Sequence, residues 1–193
     1  MKKLVFFIDQ TIFRWLVKLF YPQYKRPRVG YMKHYRLLYQ YFFMQKIMGF
    51  NRCVPWPVDF RSKVRGWKHI KKGIMCDPGD NMGVYINAFG GLKMGDNVGI
   101  SPNTIVVTTN HDKYNHQKIG PKKGVTIGSN VWIGANCSIL PGANIGDEVT
   151  IGAGCVISGE IPSRSKVVRA DNSIKVIPKT RGYEWDIYKE KLT

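Results

Sequence analysis

The chain has 193 residues, of which 44% are hydrophobic and 22% charged, and its formal charge is +17. That much apolar material supports one folded domain of ordinary size and excludes wholesale disorder. Residues 1–75 carry 17 Lys and Arg against 2 Asp and Glu, whereas residues 76–193 carry 13 against 11. The excess of cations therefore belongs to the first two-fifths and raises nucleic acid, an anionic lipid surface or a phosphorylated ligand as partners.

Residues 1–63 open with an apolar run, Leu4 to Tyr21, interrupted by Asp9, Arg14 and Lys18. It falls short of the roughly 18–20 uncharged residues a spanning helix needs, and no small-residue cleavage site follows. The four cysteines, Cys53, Cys76, Cys137 and Cys155, form neither a disulfide framework nor a zinc spacing. A cytoplasmic, reducing location is the expectation. Val5, Ile8, Ile12, Trp15, Leu16 and Leu19 have helical spacing, so an amphipathic helix is predicted there. Aromatic and basic residues continue through Phe50, and Val54–Val58 (VPWPV) reads as a Pro-broken linker.

A six-residue period then takes over. Its loose form runs through Ile70, Cys76, Met82, Ala88, Met94, Ile100 and Val106, with Ile86, Leu92, Val98 and Thr104 among the positions four residues on. His111 to Lys123 (HDKYNHQKIGPKK) has no period and reads as an excursion loop. The strict form follows as Ile127, Ile133, Ile139, Ile145, Ile151 and Ile157, four of them followed by glycine. Four residues after each stands Val131, Cys137, Ala143, Val149, Cys155 or Ile161, every one apolar. A period of six fits neither an α-helix nor a strand meander; it fits a coil of short straight segments with one large side chain inward per segment. Arg164–Ile177 reads as a last partial rung, and residues 178–193 as a short tail.

Tandem copies of Leu/Ile/Val-Gly-x-x-small-x resemble the hexapeptide-repeat acyltransferases. The resemblance covers residues 64–177, with the excursion loop at 111–123, and leaves residues 1–63 as a helical, basic N-terminal segment. It implies a mainly β fold, a left-handed parallel β-helix of triangular section with three hexapeptides per rung, and a homotrimer. Gly128–Pro162 and the run Thr108–Asp112 (TTNHD) look most like the sugar and xenobiotic O-acetyltransferase branch.

In that branch the histidine matching His111 is the general base that takes the proton of the acceptor hydroxyl. Imidazole titrates nearest neutrality and suits the task. Backbone N–H groups of the coil would hold the developing oxyanion. Asp112 either orients the ring or binds acceptor hydroxyls, or is a solvated loop carboxylate. Acetyl-CoA is the implied co-substrate, with Ala135, Ala153 and Ser158 matching small residues along the pantetheine arm. Lys175 stands in place of a family arginine at the phosphates, and Lys179 lies near a second basic position. The glycine and proline that normally precede that cation are replaced by Asp171-Asn172-Ser173. Trp132 matches a tryptophan near the active site, or is an outward aromatic at a trimer interface. Asn87 either contacts acceptor or satisfies its own backbone at a coil corner.

Metal-binding members of this fold gather three histidines from neighbouring rungs and subunits. Here the four in the chain, His34, His69, His111 and His116, are scattered, and no metal is expected. Cys137 and Cys155, eighteen residues apart, read as small hydrophobes of one corner. The basic N-terminus caps the coil, binds an anionic inner-leaflet surface, or does both; without a recognisable motif nucleic acid is not expected. The expected activity is acetyl-CoA-dependent O-acetylation of a carbohydrate hydroxyl, on a surface polysaccharide or its precursor, by direct transfer in a ternary complex. The alternatives are O-acetylation of an antibiotic, N-acylation of a nucleotide-linked amino sugar, or a catalytically silent scaffold at the membrane.

Overall fold

The structure is a computed structural model, and it describes residues 2–26, 33–112, 115, 118–170, 173–178 and 180. Its body is a left-handed parallel β-helix, a coil whose short strands stack into three flat sheets. The chain visits the sheets in turn. The first holds β1 (Lys63–Arg65), β3 (Tyr85–Asn87), β6 (Ile105–Val107), β9 (Ser138–Ile139) and β12 (Val156–Ile157). The second holds β2 (Ile70–Lys72), β4 (Leu92–Met94), β7 (Val125–Ile127), β10 (Asn144–Ile145) and β13 (Glu160–Ile161). The third holds β5 (Val98–Ile100), β8 (Val131–Ile133), β11 (Thr150–Ile151), β14 (Ser165–Ala170) and β15 (Ser173–Pro178).

The six-residue period is the length of one side of this triangle. Ile127, Ile133, Ile139, Ile145, Ile151 and Ile157 all point inward and are almost wholly buried. Each such burial contributes roughly 2–3 kcal/mol. The glycines that follow them let the corners stack: a Cβ on Gly134 would stand 2.6 Å from the Ala153 nitrogen one rung below. The corners need a left-handed backbone, which asparagine tolerates better than other side chains. Asn97, Asn103, Asn130 and Asn136 all adopt it, with φ between 54° and 57°. Asn97 Nδ2 donates to Asn130 Oδ1 at 2.8 Å, so the corner between the second and third sheets is laced along its edge.

In and against the coil, three places depart from the sequence-based expectation. Met82 keeps the period but is exposed, because the first rung has no strand on the third sheet and Asp80–Gly83 forms a turn there instead. Arg164–Ile177 is not a simple partial rung: β14 is the last turn of the coil, and β15 folds back antiparallel to it. VPWPV is not a linker either. Val54, Trp56 and Val58 join the main core, and Trp56 Nε1 donates to the Pro78 carbonyl at 2.9 Å. The segment plugs the open end of the coil, where the first rung would otherwise expose its apolar interior. Buried Gln45 holds the plug, donating to the Trp56 carbonyl at 3.0 Å and accepting from the Val58 N–H at 3.0 Å.

Ahead of the coil, α1 (Lys2–Ile8) runs through a wider π-helical turn, Asp9–Phe13, into α2 (Arg14–Phe20). α3 (His34–Leu37) continues in the same wide form over Leu38–Ile47. The predicted apolar stripe is not the packed face. Val5, Ile12, Trp15 and Leu19 are exposed, while Asp9, Val17 and Tyr21 face inward. A polar contact fixes that rotation: Asp9, 1% exposed, accepts from the Tyr35 N–H at 3.0 Å and lies 3.1 Å from His34 Nδ1. Val17, Tyr21, Leu37 and Tyr41 form a small second core. Arg26 ties this region to the coil through Asp77 at 3.0 Å and Asp80 at 3.1 Å. Among the described residues, no helix is long and apolar enough to cross a membrane.

Candidate active site

The outer face of the first sheet carries the densest set of predicted site residues. Arg65, Asn87 and Val107 are register partners and point outward together. Directly after β6 the chain leaves the coil. Thr108 closes that strand, its backbone N–H and its hydroxyl both donating to the Asn87 carbonyl, at 3.0 and 2.9 Å. The same hydroxyl accepts from the Gly90 N–H at 2.7 Å. His111, exposed, stands three residues on, at the mouth of the excursion.

The excursion begins as a short antiparallel return. His111 is bridged to Ile119, and the Asp112 N–H donates to the Lys118 carbonyl at 2.9 Å. Asp112 Oδ1 accepts from the Asn115 N–H at 2.9 Å, so this carboxylate shapes the turn beside the histidine. The Gly120 N–H donates to the Asn110 carbonyl at 2.8 Å, closing the base of the return. The loop rejoins the coil at Gly124, whose carbonyl accepts from the Gly142 N–H at 2.7 Å.

Two corners flank the first sheet. At the corner with the third sheet, Ala135 and Ala153 sit one above the other, tied by Gly154 N–H to the Ala135 carbonyl at 2.9 Å. Both side chains at that stacked pair are single methyl groups, partly exposed beside Asn136. Ser158, exposed, lies on the opposite corner, immediately after β12. Trp132 is not on this face. It projects from the middle of β8 on the third sheet, 54% exposed, beside Gly99, where a Cβ would collide with its ring. Lys175 is on that third sheet too, paired with Val168 across the terminal hairpin. Lys179 lies outside the described residues.

Cys137 and Cys155 are buried in a corner column, and burial pushes both thiols up, the reverse of what a nucleophile needs. Among the described residues no three His, Cys, Asp or Glu side chains gather as metal ligands. Sequence reasoning did not single out Thr108, although it lies in the same run as His111; its buried double contact with Asn87 became visible only when β3 and β6 were laid side by side.

Residues 124–159 match the sequence model of the bacterial transferase hexapeptide family, described as six repeats. That stretch of the chain carries hexapeptide repeats. A Saccharomyces cerevisiae protein named "Putative acetyltransferase" is 39% identical over 123 residues. That match spans 57% of this chain and 62% of the yeast protein, less than two thirds of its length. Among solved structures, the hexapeptide coil superposes on an N-acyltransferase from Bacillus cereus bound to dTDP and 3-hydroxybutyryl-CoA, with a TM-score of 0.52 at 18% identity, over 65% of this chain and 80% of that one. Neisseria gonorrhoeae serine acetyltransferase matches with a TM-score of 0.50 at 17% identity, over 91% and 68% of the two chains. Likenesses at these identities speak for the hexapeptide fold.

Proposed function

We propose that this chain transfers an acetyl group from acetyl-CoA to a hydroxyl of a carbohydrate, with His111 as general base. The observation that carries this reading is the first sheet's outer face, where Asn87 and the His111 loop are fastened to each other by Thr108, with Ser158 at the same corner and Ala135 and Ala153 at the opposite one. The acceptor hydroxyl gives its proton to the His111 imidazole as its oxygen attacks the thioester carbonyl; the C–S bond breaks, and the departing thiolate takes that proton back. Acetyl-CoA supplies the activated acyl group. Ala135, Ala153 and Ser158 would border its pantetheine arm, with Lys175 and Lys179 at its phosphates. Raised thiols at Cys137 and Cys155 support direct transfer in a ternary complex rather than an acyl-enzyme.

Trp132 and Lys175 lie on the third sheet, away from His111. A homotrimer in which the third sheet of one copy faces the first sheet of the next would reunite the set. His111→Ala should lower turnover at least about 10²-fold, the usual scale for losing a general base, while leaving coenzyme A binding intact. Mixed trimers of His111→Ala with Trp132→Ala should recover part of the activity, since some clefts then pair two unmutated residues. Near-wild-type turnover by His111→Ala removes it from the mechanism; a panel of sugars, an antibiotic and amino-sugar nucleotides distinguishes carbohydrate O-acetylation from its alternatives.

The N-terminal helices suit an anionic lipid surface. Phe6, Phe7, Ile12, Trp15 and Leu19 are exposed on α1–α2, Phe43 and Ile47 on the helix after α3, with Lys18, Lys33 and Arg36 exposed among them. Full-length protein should sediment with vesicles of phosphatidylglycerol and phosphatidylcholine at low salt and be partly released at high salt. Phe6→Ser with Phe7→Ser should weaken that binding and leave acetylation of a soluble acceptor unchanged; failure of wild type to bind removes the lipid reading.

A further inference from the structure

The second sheet carries a feature that the acetyl-transfer reading leaves unused. A cavity of about 690 Å³ lies on its outer face, between the turn before β2 and the returning limb of the excursion loop. Five lysines line it: Lys68 from the turn, Lys71 and Lys93 from β2 and β4, and Lys122 and Lys123 from the loop. Among the described residues, no carboxylate lines it.

The arrangement runs against the preferences of the sheet itself. Lys71 and Lys93 are direct register partners on adjacent parallel strands, both pointing outward. Strands stand about 4.8 Å apart, and like charges placed directly opposite each other destabilise the pair. The column continues downward as Thr126 and Asn144, both uncharged hydrogen-bonding side chains. Elsewhere the chain pairs cations that crowd together, as Arg26 and Lys72 are paired with Asp77 and Asp80. Among the described residues these five lysines make no ion pair.

The cavity runs down four stacked rungs, from Lys68 and Lys71 past Phe89–Lys93 and Lys122–Thr126 to Gly142–Asn144, and its lysines lie on the first three of them. Lysine ammonium groups act as point charges for phosphate, and two rows of them, one on the sheet and one on the loop, match two phosphate groups joined together. We infer that this lysine-lined hollow binds a diphosphate ester. Two sources share that chemistry, a nucleotide-linked sugar and a lipid-linked sugar. If the diphosphate belongs to the acetyl acceptor, that further step rests on the acetyl-transfer reading; the binding itself does not.

The test is calorimetric titration of the full chain with inorganic pyrophosphate, a nucleoside diphosphate hexose and a short-chain isoprenyl diphosphate, each in parallel with coenzyme A. Lys71→Gln with Lys93→Gln should weaken pyrophosphate binding at least tenfold and leave coenzyme A affinity unchanged. The two ester arms reveal the source: a gain over pyrophosphate for one of them names it, and equal affinity for all three assigns the hollow to the diphosphate group alone. The inference is overturned if the double variant binds pyrophosphate as wild type does, if wild type binds it no tighter than sulfate, or if coenzyme A competes with pyrophosphate and loses affinity in the variant. Since these readouts use no turnover, an inactive protein that still binds pyrophosphate through Lys71 and Lys93 refutes the acetyl-transfer reading and not this one.

Discussion

Thr108 grips the carbonyl of Asn87 twice, through its own N–H at 3.0 Å and its hydroxyl at 2.9 Å, three residues before His111. Because that hydroxyl also accepts from Gly90, a single buried side chain joins β3, the turn after it and the root of the excursion. Thr108→Val keeps the shape and removes the oxygen. Stability should fall by about 1–3 kcal/mol, the cost of leaving buried partners unsatisfied. Turnover should fall as well, because Thr108 is a positioning residue for His111, and Thr108→Ser should restore both. Thermal denaturation and kcat, measured together, check this: a loss of stability with unchanged kcat would confine Thr108 to a structural role.

Ile139 is fully buried, while Val156, on the adjacent strand beside the partner of Ile139, is half exposed. Ile139→Ala should cost about 3 kcal/mol or more through lost burial and a residual cavity. Val156→Ala should change stability by no more than about 0.5 kcal/mol. Urea unfolding of the two variants gives the comparison directly, and similar midpoints would mean that the inward and outward faces are misassigned.

Trp56 should be the most sensitive residue ahead of the first strand. Trp56→Ala empties the end of the coil and is expected to cost about 3–5 kcal/mol. Trp56→Phe retains most of the packing and loses only the donor to Pro78, so about 1–2 kcal/mol is expected. Limited proteolysis should cut the alanine variant first around residues 50–60.

Asp80 introduces a pH dependence. Burial, followed by the neighbouring Asp77 charge, pushes its carboxyl up to about 7 against the opposing pull of Arg26. Between an ordinary carboxylate value and pH 7, the folded chain holds a proton that the unfolded chain has released. Stability therefore falls as pH rises through that window. Asp59 works in the opposite sense, because its hydrogen bond to Arg61 lowers its carboxyl. Its contribution is already complete above the ordinary carboxylate range. Melting temperatures from pH 5 to 7.5 should decline in wild type and flatten in Asp80→Asn; parallel slopes would exclude Asp80 as the cause.

The coil was legible because its period is dictated by geometry: every sixth side chain must fill the same narrow interior, and six isoleucines do so without interruption. The loop was legible because it has no such duty. Met82 misled because the residues around it turn to receive Arg26, a long-range contact that no local pattern encodes. VPWPV misled because proline reads as a breaker, while here Pro55 and Pro57 flank a tryptophan that needs a fixed backbone to reach the coil axis. The outward rotation of the first helix was hidden for a different reason: one buried carboxylate, Asp9, outweighed the apolar stripe by engaging His34 and the Tyr35 N–H. At the candidate site, the sequence named residues but could not say which side of the triangle each occupies. Trp132 and His111 share a short stretch of chain and look outward from different walls.

The corner at which the loop departs is also where the coil admits novelty. Below the loop, stacked partners such as Ser129 and Asp147 are 18 residues apart; across it, Asn97 and Asn130 are 33 apart, yet the column of paired strands continues unbroken. An insertion at a corner leaves every inward isoleucine on its own wall, whereas one inside a strand would turn each later wall away from its partners. The scaffold and the excursion are thus separable inheritances. A loop of other length and chemistry grafted between Thr109 and Gly124 would meet the same rungs, so recognition can diversify while the walls that support it stay as they are.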